Sequence, residues 1–299
     1  MLSSDQIADF REQGFLLLEN MFSKPEVTAL LAETQKVLDD ARNVTRNNSV
    51  YDLEDSHSPD DPRVRRIKNP QKVSTLFKEI IRDPRTLEMV AQLIGPDIRL
   101  CGSKVNTKSA GFGAAVEWHQ DWAFFPSTND DRLTVSVMLD PMTEKNGPLM
   151  FLPGSHRGPT LNHHYDGRFC GAIDPKTSDT DFTSAKRMLG SAGTLIFHHV
   201  RIVHGSDINR SDMSRRLLLT NLAAADSWPL VGSYSAFKTL DEFDEHMIAG
   251  NPTVHPRFTN PPVYIPLPGP NDPSSVYTVQ NDLKNRYFNQ IQPVKALAT

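Results

Sequence analysis

A β core supported by helices is the fold class the sequence predicts, laid out either as α+β or as an all-β core with helical support. Three observations carry this. Helical spacing of apolar residues fills most of the first 96 positions. From residue 97 the texture changes to short strand candidates separated by Gly, Pro, Asn and Asp turns. Helices and strands do not alternate, which argues against βαβ winding.

Taken in order, Ser3 and Gln6 match a capping box before the short amphipathic run Ile7, Phe10. Gly14 ends that helix, and "FLLLEN" (15–20) reads as a buried strand. Ser23 caps a longer helix with Pro25 in its first turn; Val27, Leu30, Leu31, Val37 and Leu38 keep helical spacing. A polar loop is expected over 43–62, then helices near 73–81 and 85–94. Strands are expected at "IRLCGSKVNTK" (98–108), "LTVSVMLD" (133–140), "LMFLP" (149–153), "GTLIFHH" (193–199) and "RRLLLTNLAA" (215–224). The apolar-poor stretch 163–183 reads as a lid or a disordered connection. The Pro-rich "NPPVYIPLPGPNDP" (260–273) reads as an extended wrap and a candidate homo-oligomer contact. No internal repeat is visible.

Bulk composition narrows the function. The chain has 299 residues, 38% hydrophobic and 23% charged, as a soluble globular protein would. A net charge of −4 gives no footprint for nucleic acid or an anionic membrane. The basic cluster "RVRRIK" (63–68) reads as solvated surface. Cys101 and Cys170 form no CxxC pattern, and the N-terminal residues lack the basic and apolar regions of a signal peptide. No apolar run approaches the ~20 residues of a membrane helix. A cytoplasmic protein acting on a small molecule is expected.

The chemistry starts at "VEWHQDWAFF" (116–125). Side chains two apart on a strand share a face, so His119 and Asp121 converge while Gln120 turns away. The pair suits half of a metal site, an acid/base pair or a polar kink. A second histidine would complete the two-His, one-carboxylate set of non-haem Fe(II) oxygenases. His198, His199 and His204 are the candidates, and His204 is preferred because a strand-like "RIV" leads into it and a glycine follows. Arg215 opens an apolar strand. A buried guanidinium there needs an anion, and its fork matches a carboxylate.

With these residues placed, the chain resembles the phytanoyl-CoA dioxygenase-like family of Fe(II)/2-oxoglutarate oxygenases. The matching motifs are "WHQD" (118–121), "NGPLMFLPGSH" (146–156) and "HGSDINRSDMSRR" (204–216), with the opening "LSSDQIADFREQGFLLLENMFSKPEV". The resemblance covers roughly residues 2 to 225. It implies a double-stranded β-helix (jelly roll, cupin-like) flanked by N-terminal α-helices. One domain is expected over 1–299: helical support and first strand (1–96), jelly-roll core (97–225), C-terminal wrap (226–299). The resemblance implies iron held by His119, Asp121 and His204. Arg215 falls at the distal carboxylate of 2-oxoglutarate, with Ser206 assisting and Ser136 and Asn106 nearby. A further basic cosubstrate contact lies in the neighbourhood of Arg65, Arg66 and Lys68.

O2 joins 2-oxoglutarate as cosubstrate, and hydroxylation of a small organic metabolite is the expected outcome. Desaturation, ring formation or epoxidation by the same iron chemistry stay open, as do a non-catalytic metal-binding jelly roll and a cupin-like zinc hydrolase. The carboxylate at Asp121 argues against halogenation, where a small residue leaves room for chloride. Trp122 and Phe124 are candidates to face the substrate, against a default of plain core. His198 and His199 read as surface or supporting residues, His156 as a turn residue, and His57, His163 and His164 as solvent-facing.

Overall fold

The caps read from sequence start the first two helices. Helix α1 (Ser4–Gln13) follows Ser3, whose side chain accepts the Gln6 N–H while Gln6 accepts the Ser3 N–H. Gly14 stops it in the left-handed region at φ 82. A Cβ there would also sit 2.4 Å from the His156 ring. After β1 (Phe15–Leu18), α2 (Lys24–Asp40) repeats the device with Ser23 and Glu26. This computed structural model describes residues 1–111, 113–231 and 239–288.

The remaining elements are β2 (Tyr51–Leu53), β3 (Val64–Lys68), α3 (Thr75–Ile81), α4 (Pro84–Ile94), β4 (Ile98–Lys108), β5 (Val116–His119), β6 (Arg132–Met138) and β7 (Leu149–Phe151). Then come β8 (His164–Tyr165), β9 (Arg168–Phe169), β10 (Lys186–Arg187), β11 (Leu195–His199), β12 (His204–Ser206) and β13 (Arg215–Ala224). The chain continues with α5 (Leu240–Glu245), β14 (Met247–Ala249) and α6 (Val276–Val279).

Two antiparallel sheets form a jelly roll. The larger runs β1-β11-β6-β13-β4-β3-β2 with β14 beside β4; the smaller runs β10-β7-β12-β5. Alternation along the strands decides which residues fill the space between them. Leu217 and Leu219 of β13 pack inward with Met138, Leu149, Phe151 and Ile196. Leu218 and Leu222 face the other way, into the larger core with Val105, Val135 and Phe197. The helices close that outer face with Phe10, Leu30, Phe77 and Val90. A helix-backed sheet on one side leaves the inter-sheet space as the place for polar chemistry.

Four expectations change. The polar loop over 43–62 contains β2, and "RVRRIK" is β3, an inner strand between β2 and β4. Ile67 is fully buried and Arg66 is 9% exposed, because strand pairing on both sides overrides a local run of charge. The stretch 163–183 is ordered around a β8–β9 hairpin and buries Phe169, Cys170 and Ile173. His163 is buried and not solvent-facing, because its Nε2 accepts the Gln120 N–H at 2.9 Å.

The Pro-rich segment 260–273 is extended and exposes Tyr264 and Leu267, and the chain after it returns over the barrel. Of the expected wrap, 232–238 and 289–299 lie outside the described residues. Among the described residues no helix is long and apolar enough to cross a membrane.

Candidate active site

Strand pairing brings the metal candidates together. His119 ends β5 and His204 begins β12, and the two are direct partners across that ladder. Gln120 is still extended, and Asp121 opens a single 3₁₀ turn (Asp121–Ala123), so its carboxylate swings to the histidines' side. His119 Nε2 lies 3.7 Å and His204 Nε2 3.9 Å from Asp121 Oδ1. One donor atom from each of the three fits within 4.8 Å of the others.

Both rings are fixed by the same short-range contact. Nδ1 of His119 meets the Glu117 carbonyl at 2.8 Å, and Nδ1 of His204 meets the Ile202 carbonyl at 3.0 Å, each two residues back. That sets Nδ1 as the N–H and leaves Nε2 as the free lone pair, as metal ligation requires. Burial lowers both imidazole pKa values, so both stay neutral. Burial alone would raise the Asp121 carboxyl, but His198, His204, Lys104 and His119 around it hold it well below the usual carboxylate range. Two neutral imidazoles and one carboxylate on one side fit a divalent ion of borderline hardness such as Fe(II).

Residues beside the triad complete this end. The Thr134 hydroxyl reaches Asp121 Oδ2 at 3.5 Å. His198 Nε2 stands 3.7 Å from the same oxygen, and neither of its ring nitrogens has a hydrogen bond. His198 lines the cavity, so the expectation of a surface or supporting histidine is sharpened to a buried ring on the cavity wall. Gln120 does turn away: its amide donates to the Arg201 carbonyl and accepts the Leu161 N–H.

The other end is cationic. The cavity, about 220 Å3, runs from the triad to Arg215. Arg215 is 2% exposed, donates from one Nη to the Gly147 carbonyl, and among the described residues has no partner at Nε. Burial lowers its pKa to about 10, so it remains charged at neutral pH. Across the ladder sits Lys108, buried and donating to the Ser206 and Asp207 carbonyls. Asn106, two residues along the same strand, lines the cavity with Oδ1 unpartnered. Ser206 also lines it.

Two expected residues stand elsewhere. Ser136 is fully buried with a free hydroxyl but is not on the cavity wall. Trp122 is fully buried, donates its indole N–H to the Pro262 carbonyl and is absent from the wall, whereas Phe124 is on it.

A roof comes from beyond residue 225. Ser275, Tyr277 and Val279, on and before α6, line the cavity. Gln280 anchors this roof: it accepts the Glu117 N–H and donates to the Gly171 carbonyl. The buried Glu117 carboxylate accepts the Tyr287 and Phe288 N–H groups. Trp118 packs against Phe182, Tyr287 and Phe288.

Sequence reasoning missed Lys104, Lys108 and Tyr277 and did not resolve Arg66 from its neighbours. The alternation K-V-N-T-K was the available signal, since it puts Lys104, Asn106 and Lys108 on one face. Of the three basic residues considered, Arg66 reaches the cavity, while Arg65 pairs with Glu54 at 2.9 Å.

Comparison with known proteins follows the same lines. The profile of the phytanoyl-CoA dioxygenase (PhyH) family matches residues 10–217. A protein of Stutzerimonas stutzeri named as a probable alpha-ketoglutarate-dependent hypophosphite dioxygenase is 35% identical over 95% of this chain and 99% of its own length. An ectoine dioxygenase of Bordetella parapertussis is 33% identical over 72% of this chain and 73% of its own. Among solved structures, EctD from S. alaskensis with 2-oxoglutarate and 5-hydroxyectoine superposes with a TM-score of 0.65, at 22% identity and 89% coverage of each chain, a likeness of fold.

Proposed function

The chain belongs to the phytanoyl-CoA dioxygenase family, and from that premise we propose that it is an Fe(II)- and 2-oxoglutarate-dependent dioxygenase that hydroxylates a small molecule. One observation carries this: His119, Asp121 and His204 converge at one end of a cavity whose other end is a buried Arg215 that pairs with no carboxylate among the described residues. Iron bound there supplies O2 activation coupled to oxidative decarboxylation of 2-oxoglutarate.

The protein's own residues supply the rest. His119 Nε2, His204 Nε2 and an Asp121 oxygen would hold the metal. Arg215 takes the distal carboxylate, and among the described residues its Nε lacks an acceptor. Ser206 and Asn106 line the path between. Ser136, off the wall, is assigned a supporting place behind it. Phe124 gives an apolar face near the metal, while Trp122 tethers the strap through Pro262. The reaction balances as one oxygen atom into the substrate X–H bond and one into succinate. Two electrons come from each organic partner, and CO2 leaves.

We read residues 1–299 as one catalytic unit of helices, barrel and strap. Free thiols at Cys101 and Cys170 support a reducing, cytoplasmic setting. Exposed Phe258, Tyr264 and Leu267 support a self-association contact on the strap, which sedimentation checks. The activity test is succinate formation from 2-oxoglutarate with Fe(II), ascorbate and O2. Uncoupled turnover alone is expected even without substrate. Its complete absence with every candidate substrate would overturn the reading.

A further inference from the structure

The cavity holds more positive charge than the cosubstrate uses. The inward row of β4 carries Lys108, Asn106 and Lys104, paired in turn with Arg215, Leu217 and Leu219. Lys108 sits in the Arg215 rung and satisfies two backbone carbonyls. Lys104 lies four residues away, about 13 Å along an extended strand. That is the metal end, one inward step from the rung of Asn221 and Thr134, whose hydroxyl touches Asp121. It is out of reach of a carboxylate seated on Arg215.

Lys104 lines the cavity, and among the described residues no hydrogen bond or ion pair engages its ammonium. Arg66, on the neighbouring strand, lines the cavity too. Its Nε and one Nη are buried without a hydrogen bond, and its nearest acid, Asp52, stands 3.8 Å off. Lys104 is thus the cation on this wall without a hydrogen-bond or ion-pair partner among the described residues, while Arg66, paired with the buried Asp52, stands behind it. Asp121 is committed to the metal. Buried charge without a partner is costly, so the arrangement calls for an anion.

We propose that the substrate is a small oxyanion and that Lys104, with Arg66 behind it, holds its charged group beside the metal. This rests on the dioxygenase reading. The oxidised bond is then P–H or C–H, converted to P–OH or C–OH with the stoichiometry above. A cavity of about 220 Å3, shared with 2-oxoglutarate, limits the anion to a small one; pockets for drug-sized ligands run to roughly 300–1,000 Å3. The phosphorus oxyanion in the name of the 35% relative fits that limit, as does a compact carboxylate.

The test loads the full chain with redox-inert Mn(II) and 2-oxoglutarate and titrates it calorimetrically with hypophosphite or, separately, ectoine. One of the two binds, and which one separates a phosphorus oxyanion from a carboxylate. Lys104→Gln weakens that binding about ten- to a hundredfold, Lys104→Arg restores most of it, and 2-oxoglutarate affinity stays unchanged in both. The inference fails if neither anion binds, if Lys104→Gln binds as tightly as the parent, or if the substitution weakens 2-oxoglutarate instead. Failure of the parent protein to bind 2-oxoglutarate at all would sink the dioxygenase reading and this inference with it.

Discussion

Sheet register assembles both ends of the cavity, and the metal end adds local contacts that set its rings. At the metal end, each histidine ring is set by a carbonyl two residues away, and His119 and Asp121 are themselves two apart. At the cationic end, Asn106, Lys108 and Arg215 come from two strands and meet only through sheet register. The metal end gathers neutral rings and Lys104 around one carboxylate; at the other end, among the described residues, Arg215 and Lys108 meet backbone carbonyls and no carboxylate. Local chemistry thus refines what register brings together at the metal end, and register alone prepares the place where charge is received.

The largest effect expected from breaking this contrast is at the metal end. His119→Ala or His204→Ala should abolish metal retention and succinate formation, beyond the roughly 10–100-fold that loss of an outer hydrogen-bond partner costs. Metal content and turnover measured together check this, and retained activity would remove that residue from the ligand set. At the other end, Arg215→Ala should keep the metal and raise the KM for 2-oxoglutarate by about a hundredfold. An unchanged KM would show that the buried guanidinium serves something else.

Acid sharpens the contrast further. Burial holds His163 and His199 at about 3 and lowers His119 and His204, against roughly 6.5 in an unfolded chain. Below that pH the unfolded chain takes up protons that the folded one refuses. Stability should therefore fall with pH by up to about 1.4 kcal/mol per unit for each such histidine. Melting temperatures from pH 7.5 to 5 should drop. A flat profile would contradict the neutral rings. The smallest effect is Asn106→Ala, which loses about 1 kcal/mol of cosubstrate binding, a few-fold in Kd by titration, with metal content unchanged.

The same contrast explains what could be read from the residues alone. His119 and Asp121 were legible because they stand two residues apart, His204 because a strand-like run leads into it and a glycine follows, and Arg215 because a charge opening an apolar strand demands a partner. Helix starts at Ser3 and Ser23 were legible for the same local reason. Lys104 and Lys108 were not, because which face of β4 turns inward is decided by pairing with β13, a hundred positions on. Arg66 was hidden in a run of charge that looked solvated until β2 and β4 closed on either side. His163 was misjudged because its partner, the Gln120 N–H, lies 43 positions back in the sequence. The family resemblance stopped near residue 225, so the roof was invisible.

That roof has a consequence in time. Every residue assigned to metal or cosubstrate lies before position 225, while Tyr277, Gln280 and the segment tied to Glu117 follow well after. A ribosome delivers strands β1 to β13 first, so the cover is the last part of the cavity wall to be synthesised. Covering the cavity is then the chain's own late step, made by Gln280 and by two backbone N–H groups settling on one buried carboxylate.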